Sequence, residues 1–167
     1  MKAMENIMKK VLLPGSYDPI TRGHIDVVRR ALLHFDEVHV VVFINPHKKT
    51  LFSAEERLAL LKIAFADEKR VKVGADSGLV ADYAARNGIS LLLKGVRDAV
   101  DFDYELPMAD HHKTKCDLDT FLLPCDPSFR ETSSHAVRDL IEEGRPLAAL
   151  LTPEVEKEVR RILAARS

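Results

Sequence analysis

The chain has 167 residues, of which 25 are Lys or Arg and 26 are Asp or Glu, so its formal net charge is -1 with His neutral. This balance argues against a general nucleic-acid-binding protein, which carries an excess of basic residues. The hydrophobic fraction of 46% and the charged fraction of 31% are typical of a folded globular protein. No run approaches the ~20 consecutive apolar residues of a membrane helix, and the N-terminal MKAMENIMKK lacks a signal peptide's apolar segment, so we expect a cytoplasmic protein.

Two cysteines, Cys116 and Cys125, are too few for a disulfide framework, and we expect both to be reduced thiols. Cys116 lies near His111 and His112, and these three side chains could in principle bind zinc. Neighbouring residues point in different directions on a helix, and a structural zinc site usually has four ligands. A polar helix end is therefore the favoured interpretation, and we predict no protein-bound metal.

From Lys9 onward, short apolar runs alternate with longer stretches whose apolar residues recur every three or four positions. This alternation is typical of a parallel sheet with crossover helices, and the near-continuous runs fit strands that are covered on both faces. The predicted strands are Val11 to Leu13, Val38 to Ile44, Val71 to Val73, Ile89 to Leu93 and Thr120 to Leu123. The pattern predicts an α/β, Rossmann-like, doubly wound five-stranded parallel sheet with helices on both faces and a C-terminal helix.

The predicted helices carry apolar faces and recognisable ends. The faces comprise Ile25, Val28, Ala31, Leu32 and Phe35 in the first helix, and Leu58, Leu61, Ala64 and Phe65 in the second. Ser53 and Glu56 have capping-box spacing, Asn87-Gly88 is a stop signal, and Thr152-Pro153 combines a cap with a first-turn proline. Further helices are predicted from Asp98 to about Lys115 and from Pro153 to Ala165.

No linker, repeat or low-complexity run interrupts the pattern. We therefore predict a single domain over residues 9–167, preceded by a tail over residues 1–8. The last helix could pack on the body of this domain or on a neighbouring subunit.

The segment from Pro14 to His24 runs from the first strand into the first helix, where open parallel sheets bind ligands. Gly15 would let the backbone approach a ligand, and the helix beginning near Gly23 offers N–H groups and a positive dipole end to an anion. His24 could donate a hydrogen bond to a phosphate oxygen. Without further support, Gly15 and Gly23 could be turn residues and His24 a surface histidine.

Two more segments place cations after strands. Lys48 and Lys49 follow the second strand, where a solvated basic turn is the alternative interpretation. Lys94 and Arg97 flank Gly95 at the end of the fourth strand, and both could point at a polyphosphate from one loop.

A third phosphate-binding candidate runs from Thr132 to Arg138, just before a predicted helix. Hydroxyls and N–H groups at a helix N-terminus suit a triphosphate. Ordinary capping by Ser133 or Ser134 explains the same residues without a ligand.

The string from Pro14 to His24 resembles the T-x-G-H version of the H-x-G-H signature of the nucleotidyltransferase superfamily, and specifically that of the phosphopantetheine adenylyltransferase family. Thr21 favours this family because many relatives have histidine there. The segments Phe52 to Arg57, Lys94 to Glu105 and Thr132 to Arg138 resemble further family motifs in the same order.

The resemblance implies transfer of AMP from ATP to 4'-phosphopantetheine, which gives dephospho-coenzyme A and pyrophosphate by direct in-line attack. It further implies Mg²⁺ held mainly by the ATP phosphates, feedback by coenzyme A and a homohexamer. The implied catalytic residues are His24, Lys48 and Arg97. The implied ATP-binding residues are Gly15, Ser16, Tyr17, His24, Gly95, Val96, Arg97, Glu105, Thr132, Ser133, Ser134 and His135. The implied substrate-binding residues are Ser16, Lys48, Val80 and Lys94.

Departures from the family motifs leave two alternatives. Lys94 stands in place of an arginine and keeps the charge without the planar fork, which favours a sister enzyme acting on nicotinamide mononucleotide or glycerol 3-phosphate. Thr132 and His135 depart from the last motif and favour a catalytically silent nucleotide-binding protein. A dinucleotide-dependent dehydrogenase is disfavoured because no G-x-G-x-x-G follows the first strand.

Overall fold

The computed structural model describes residues 8–166. Residues 1–7 of the predicted tail lie outside the described residues, and Met8 is exposed. The elements are β1 (Lys10–Gly15), α1 (Arg22–Ala31), β2 (Glu37–Phe43), α2 (Ala54–Ala64), β3 (Val71–Asp76), α3 (Val80–Arg86), β4 (Leu91–Val96), α4 (Ala99–Cys116), β5 (Asp119–Pro124), a short 3-10 turn (Pro127–Phe129), α5 (Ser134–Glu142) and α6 (Pro153–Ala164).

The five strands form one parallel sheet in the order β3-β2-β1-β4-β5. The order reverses at β1, which confirms the predicted doubly wound sheet. β1 pairs with β2 along its whole length but with β4 at Leu12 and Leu92. The carboxyl halves of β1 and β4 therefore diverge, and such a crevice is where open α/β sheets bind ligands.

Both faces of the sheet are covered, as the apolar runs predict. Alternate strand residues such as Val11 and Leu13 pack in one cluster with α1, α2, α5 and α6. Leu12 and Val41 point to the opposite face, where the cluster includes Ala84 of α3 and Cys116 of α4. Side chains of one strand thus divide between two helical layers because they alternate along it.

The strand bounds differ from prediction mainly at β4. The apolar run predicts Ile89 to Leu93, whereas the strand runs from Leu91 to Val96 and pairs with β5 as far as Val96 and Pro124. The ladder of main-chain hydrogen bonds continues through polar Lys94 and through Gly95, which composition alone does not reveal. These two residues therefore lie on a strand instead of in a loop.

Several predicted helix ends are confirmed. Ser53 and Glu56 form a complete capping box, and the Thr152 side chain caps α6 ahead of Pro153. α4 begins after its cap residue Asp98. The two cysteines are free.

The last helix packs on the body of the domain, which was one of the two predicted possibilities. Val155, Val159 and Ile162 are buried in the cluster that also contains Leu60 and Leu61 of α2. Within residues 8–166, no helix combines the length and hydropathy needed to cross a membrane.

Candidate active site

A cleft of about 390 Å³ opens at the carboxyl ends of β1 and β4, where the two strands diverge. It is lined by the first loop, by the ends of both strands and by the start of α5. Of the predicted site residues, the cleft brings together Gly15, Ser16, Tyr17, His24, Lys48, Lys94, Gly95, Arg97, Glu105, Thr132, Ser133, Ser134 and His135.

A second cavity of about 340 Å³ adjoins this cleft and shares part of its wall, including Ser16, Lys48 and Lys94. It extends over the α3 and α4 side of the sheet. Val80, the remaining predicted acceptor-binding residue, lines this part together with apolar Phe43, Leu92, Met108 and Ala109. The site therefore has two parts that meet at a basic junction, and the second part has an apolar wall on the α3 and α4 side.

Val96 is the one predicted site residue that lines neither cavity. Its side chain is 8% exposed. It follows Gly95 on β4, so its side chain points to the opposite face of the sheet.

The first loop is held rigidly from inside the protein. The hydroxyl of Tyr17 donates to the carbonyl oxygen of Leu13 at 2.8 Å, although Tyr17 has a φ of 47°. The buried carboxylate of Asp18 accepts hydrogen bonds from the main-chain N–H groups of Leu51 and Phe52 at 2.9 and 2.8 Å. Asp18 was missed in the sequence because its partners lie more than thirty residues away and their amides carry no sequence signal.

His24 is oriented by the cap of its own helix. The Thr21 side chain accepts from the main-chain N–H of His24, and the main-chain N–H of Thr21 donates to Nδ1 of His24 at 3.1 Å. Nδ1 is therefore the acceptor, and a neutral ring carries its proton on Nε2. The main-chain N–H of Thr21 thus selects the histidine tautomer, while the Thr21 hydroxyl caps the helix.

Electrostatics keep the His24 imidazole neutral. Burial, and then the positive charges of Lys94 and Arg97, lower its pKa from 6.5 to about 4. At neutral pH the ring can therefore offer an Nε2–H donor without bringing a further positive charge into the cleft.

Lys48 reaches the first loop from the segment after β2. Its Nζ donates to Oγ of Ser16 at 2.9 Å, and the carbonyl oxygen of Ser16 accepts from Nη1 of buried Arg57 at 2.8 Å. The F-S-x-E-E-R segment therefore contributes Arg57 to the support of the loop, a role that the sequence does not reveal.

Lys94 bridges the crevice between β1 and β4. Its Nζ lies 3.1 Å from Oε1 of Glu105 and 3.3 Å from the carbonyl oxygen of Pro14. The predicted acceptor-binding cation is thus paired with a predicted nucleotide-binding carboxylate. A bound phosphate would compete with Glu105 for this ammonium group.

Gly15 and Gly95 both line the cleft, but packing within the protein also excludes a side chain at each position. A Cβ at Gly15 would lie 2.9 Å from the Tyr17 ring, and one at Gly95 would lie 2.9 Å from Cγ2 of Val27 on α1. The sequence predicts that Gly15 either lets the backbone approach a ligand or is a turn residue. The structure adds a packing requirement within the protein.

Arg97 is held by a carboxylate that the sequence analysis did not single out. Its Nε and Nη2 donate to the two oxygens of Asp101 at 2.8 and 3.0 Å, and its main-chain N–H donates to the same group. The hydrogen bonds that Arg97 donates to Asp101 raise the pKa of Arg97. The spacing of four residues across the start of α4 is the signal that could have identified the pair.

The start of α5 is used partly for capping. Ser133 accepts from the main-chain N–H of Ala136 at 3.0 Å, and Oγ of Ser134 donates to the carbonyl oxygen of Pro19 at 2.7 Å. Arg138 donates to the carbonyl oxygen of Asp18 at 2.7 Å. The motif therefore ties α5 to the first loop, while the helix N-terminus still faces the cleft.

Two residues of this motif differ in position. Thr132 is buried, whereas His135 is exposed with Nε2 at 3.4 Å from Asp139. His135 therefore lies at the rim of the cleft, whereas Thr132 is part of its buried wall.

The arrangement suits a polyanion. Lys48, Lys94 and Arg97 converge on one cleft together with the N-termini of α1 and α5. The carboxylates that line it already have partners, because Arg138 lies 3.6 Å from Asp18 and the others pair with Arg97 and Lys94. Such a site can align phosphate groups and disperse their charge.

The chain resembles known proteins over most of its length. Residues 12–140 match the family model described as cytidylyltransferase-like. A phosphopantetheine adenylyltransferase from Corynebacterium diphtheriae is 41% identical over 89% of this chain and 94% of its own length. One from Kocuria rhizophila is 43% identical over 89% of this chain and 96% of its own length.

A solved structure from Vibrio parahaemolyticus, described as a candidate nicotinate-nucleotide adenylyltransferase, covers 92% of this chain with a TM-score of 0.69. Its sequence identity is 19%, so this likeness concerns the fold. It supports the α/β sheet and the C-terminal helix. The two relatives above 40% identity establish more, and the chain belongs to the phosphopantetheine adenylyltransferase family of cytidylyltransferase-like nucleotidyltransferases.

Proposed function

We propose that this protein transfers the adenylyl group of ATP to 4'-phosphopantetheine, with dephospho-coenzyme A and pyrophosphate as products. The phosphate of 4'-phosphopantetheine attacks the α-phosphorus, and the bond to the bridging oxygen of the leaving pyrophosphate breaks. The observation that carries the proposal is the oriented His24 in one cleft with Lys94 and Arg97, beside a second cavity that shares part of its wall with this cleft.

The nucleophile needs no general base, because a phosphate monoester is already an anion at neutral pH. The protein has to align the two substrates and stabilise the charge that spreads over the α-phosphate and the pyrophosphate. No covalent intermediate with the protein is required, and the proposed mechanism is direct in-line attack on the α-phosphorus.

His24 is the proposed donor to the reacting phosphate. Its Nε2–H would bond the α-phosphate oxygens, where negative charge increases in the transition state. The hydrogen bond from Thr21 to Nδ1 fixes this donor in place before the substrates bind.

Lys48 and Arg97 are the proposed charge-stabilising residues. Lys48, held at Ser16, would contact both the attacking phosphate and the α-phosphate. Arg97, held by Asp101, would contact the β- and γ-phosphates beside the N-terminus of α5. The remaining proposed ATP contacts are Gly15, Ser16, Tyr17, Gly95, Glu105, Thr132, Ser133, Ser134 and His135.

The second cavity is the proposed acceptor site. Lys94 and Lys48 lie where it joins the cleft and would hold the phosphate of 4'-phosphopantetheine. The apolar wall around Val80 and Met108 would hold the pantetheine arm. Coenzyme A carries the same arm, so feedback by coenzyme A would act by competition at this cavity.

Mg²⁺ is proposed to enter with ATP. Within residues 8–166, no group of three or more His, Cys, Asp or Glu side chains is placed to hold a metal ion. The carboxylates of the cleft are paired with basic side chains, so the ion would be held mainly by phosphate oxygens, which Mg²⁺ accepts readily. When bound, it would neutralise phosphate charge.

A homo-oligomer, with a hexamer as the family expectation, is also part of the proposal. α4 has 18 residues and none of them is buried in the single chain. Its Val100, Phe102 and Leu106 are exposed and line neither cavity. Covering this surface with another copy would remove apolar area from water. Light scattering tests the state directly, and a monomer at micromolar concentration would contradict it.

The test of function is pyrophosphate release from ATP and Mg²⁺, measured with 4'-phosphopantetheine, nicotinamide mononucleotide and glycerol 3-phosphate in parallel. We expect release only in the reaction that contains 4'-phosphopantetheine as the acceptor. Release with another acceptor would support adenylyl transfer but change the identity of the acceptor. ATP binding without release would favour the silent binder, and either result would reject the proposal.

Since ATP is its proposed substrate, we propose that the enzyme acts in the cytoplasm.

A further inference from the structure

A hydrogen-bonded relay connects β2 to α3 outside both cavities. Oε1 of Glu37 lies 2.7 Å from Nε2 of His39, and Nδ1 of His39 lies 2.9 Å from the hydroxyl of Tyr83. His39 is 5% exposed. These three residues line neither cavity, and the proposed reaction uses none of them. The three residues are therefore outside the walls of the proposed substrate sites.

The direction of each hydrogen bond is fixed by its partners. The hydrogen bond from His39 lowers the pKa of Glu37, so the carboxylate is ionised and can only accept. Nε2 of His39 therefore donates, and when the ring carries only this proton its Nδ1 accepts from the hydroxyl of Tyr83. Burial, followed by the charge of Asp76, raises the pKa of Tyr83 and keeps this hydroxyl protonated.

Tyr83 joins this relay to the wall of the second cavity. It lies one turn after Val80 on α3, and its ring packs edge-on against Phe43 with centroids 5.9 Å apart. Val80 and Phe43 both line the cavity. The hydroxyl of Tyr83 thus fixes a helix and a ring that together shape the apolar wall.

α3 packs on the sheet through a small apolar contact, in which Val80, Ala81 and Tyr83 are partly buried. Ala84 is the one residue of this seven-residue helix that is buried. Two further polar ties hold its C-terminal end: exposed Arg86 pairs with Asp76 at 2.6 Å, and Nζ of Lys10 donates to the carbonyl oxygen of the C-cap residue Asn87 at 3.3 Å. An element with few buried contacts opens locally at low free energy, so one buried hydrogen bond has a large share in its placement.

We infer that His39 is a positioning residue for acceptor binding, because through Tyr83 it holds the α3 wall of the second cavity. The inference rests on the proposed function for the identity of the acceptor. The two substrates should respond differently to loss of the relay. The relay supports a wall of the acceptor cavity, and none of its residues lines the ATP cleft. Loss of the relay should raise the KM for the acceptor and leave kcat and the KM for ATP nearly unchanged.

The first test is Tyr83→Phe, which removes the hydroxyl and retains the ring. We expect the KM for 4'-phosphopantetheine to rise on the order of threefold to tenfold, the range that one hydrogen bond provides. His39→Leu should have the same effect. His39→Asn, whose amide oxygen can replace Nδ1 as the acceptor for Tyr83, should restore most of the affinity.

The matched control is Val71→Ala. Val71 lies on β3 but packs on the opposite face of the sheet, away from α3. This variant should lose stability without a change in the KM for either substrate. If Tyr83→Phe behaves in the same way, the relay is merely structural and the inference is wrong.

Hydrogen exchange provides a readout that needs no substrate. We expect the amides of residues 80–88 to exchange faster in Tyr83→Phe than in the wild type, with no change in α1 or α6. Unchanged exchange in α3 would overturn the inference even if adenylyl transfer is observed. Absence of adenylyl transfer in the wild type would overturn the proposed function, while the exchange result would still decide the role of the relay.

Discussion

The two halves of the site are built differently. The ATP half rests on α1, four residues of which are buried, and its His24, Lys48 and Arg97 each have a partner within the protein. The acceptor half rests on α3, in which only Ala84 is buried, and on the middle of α4 around Met108 and Ala109, where no residue is buried. We conclude that the half proposed to perform the chemistry is fixed in advance, whereas the half proposed to select the acceptor depends on a few polar ties.

Removing His24 should have the largest effect on the ATP half of the site. We expect His24→Ala to lower kcat on the order of 10²–10³, because it removes a donor to the developing charge in the transition state. The KM for ATP should change little. Steady-state kinetics at saturating 4'-phosphopantetheine measure both constants, and His34→Ala, which alters an exposed histidine, is the control. A loss confined to the KM for ATP would contradict the assignment.

The pH dependence of stability also tests the environment of His24 in the ATP half of the site. The pKa of His24 is lowered to about 4 in the folded state, so the unfolded chain binds this proton first as the pH falls below about 6.5. The stabilising contribution is therefore complete above pH 6.5 and is lost as the pH falls towards 4. We expect it to be at most about 2 kcal/mol between pH 7 and pH 5.

Urea unfolding of the wild type and of His24→Asn at both pH values measures this contribution. Asparagine can keep the hydrogen bond from Thr21 but does not titrate. The wild type should lose more stability than the variant on acidification. Equal losses would show that His24 titrates alike in the folded and unfolded chains.

Lys94 tests the acceptor side. We expect Lys94→Gln to raise the KM for 4'-phosphopantetheine roughly tenfold, because a charge-assisted contact with the phosphate is lost. Lys49→Gln changes the charge equally at an exposed position and should leave this KM unaltered. A larger effect on the KM for ATP than on that for the acceptor would reverse the proposed assignment of Lys94.

Asp101 tests how much of the ATP side depends on preset geometry. Asp101→Asn keeps one acceptor oxygen for Arg97 but removes the charge. We expect kcat/KM for ATP to fall by about threefold to fivefold, in line with the weakening of one charged hydrogen bond. Asp103→Asn, at an exposed position on the same helix, is the control. An unchanged value would mean that ATP phosphates orient Arg97 without help.

Much of the fold could be predicted from local patterns. The valine-rich run of β2 and the Ser53–Glu56 capping box carry their signals within a few residues. The end of β4 could not be predicted, because Lys94 and Gly95 continue a ladder whose partner strand lies almost thirty residues later. Main-chain pairing across such a distance leaves no trace in the hydrophobic pattern.

The candidate site divides in the same way. Motifs identified His24 and Arg97, and the resemblance supplied their proposed roles. The contacts that orient them were less visible: Thr21 and Asp101 lie three and four residues away and could have been found from spacing. Asp18 and Arg138 meet across 120 residues, and no local pattern predicts that contact.

The most direct test of the central claim is the tautomer and titration of His24 in ¹⁵N-histidine-labelled protein, with the signal assigned by its absence in His24→Asn. We expect a neutral ring protonated on Nε2 from pH 8 down to about pH 5, because its pKa is near 4. A ring protonated on Nδ1, or one that titrates near 6.5, would contradict the claim that the donor is set before ATP binds.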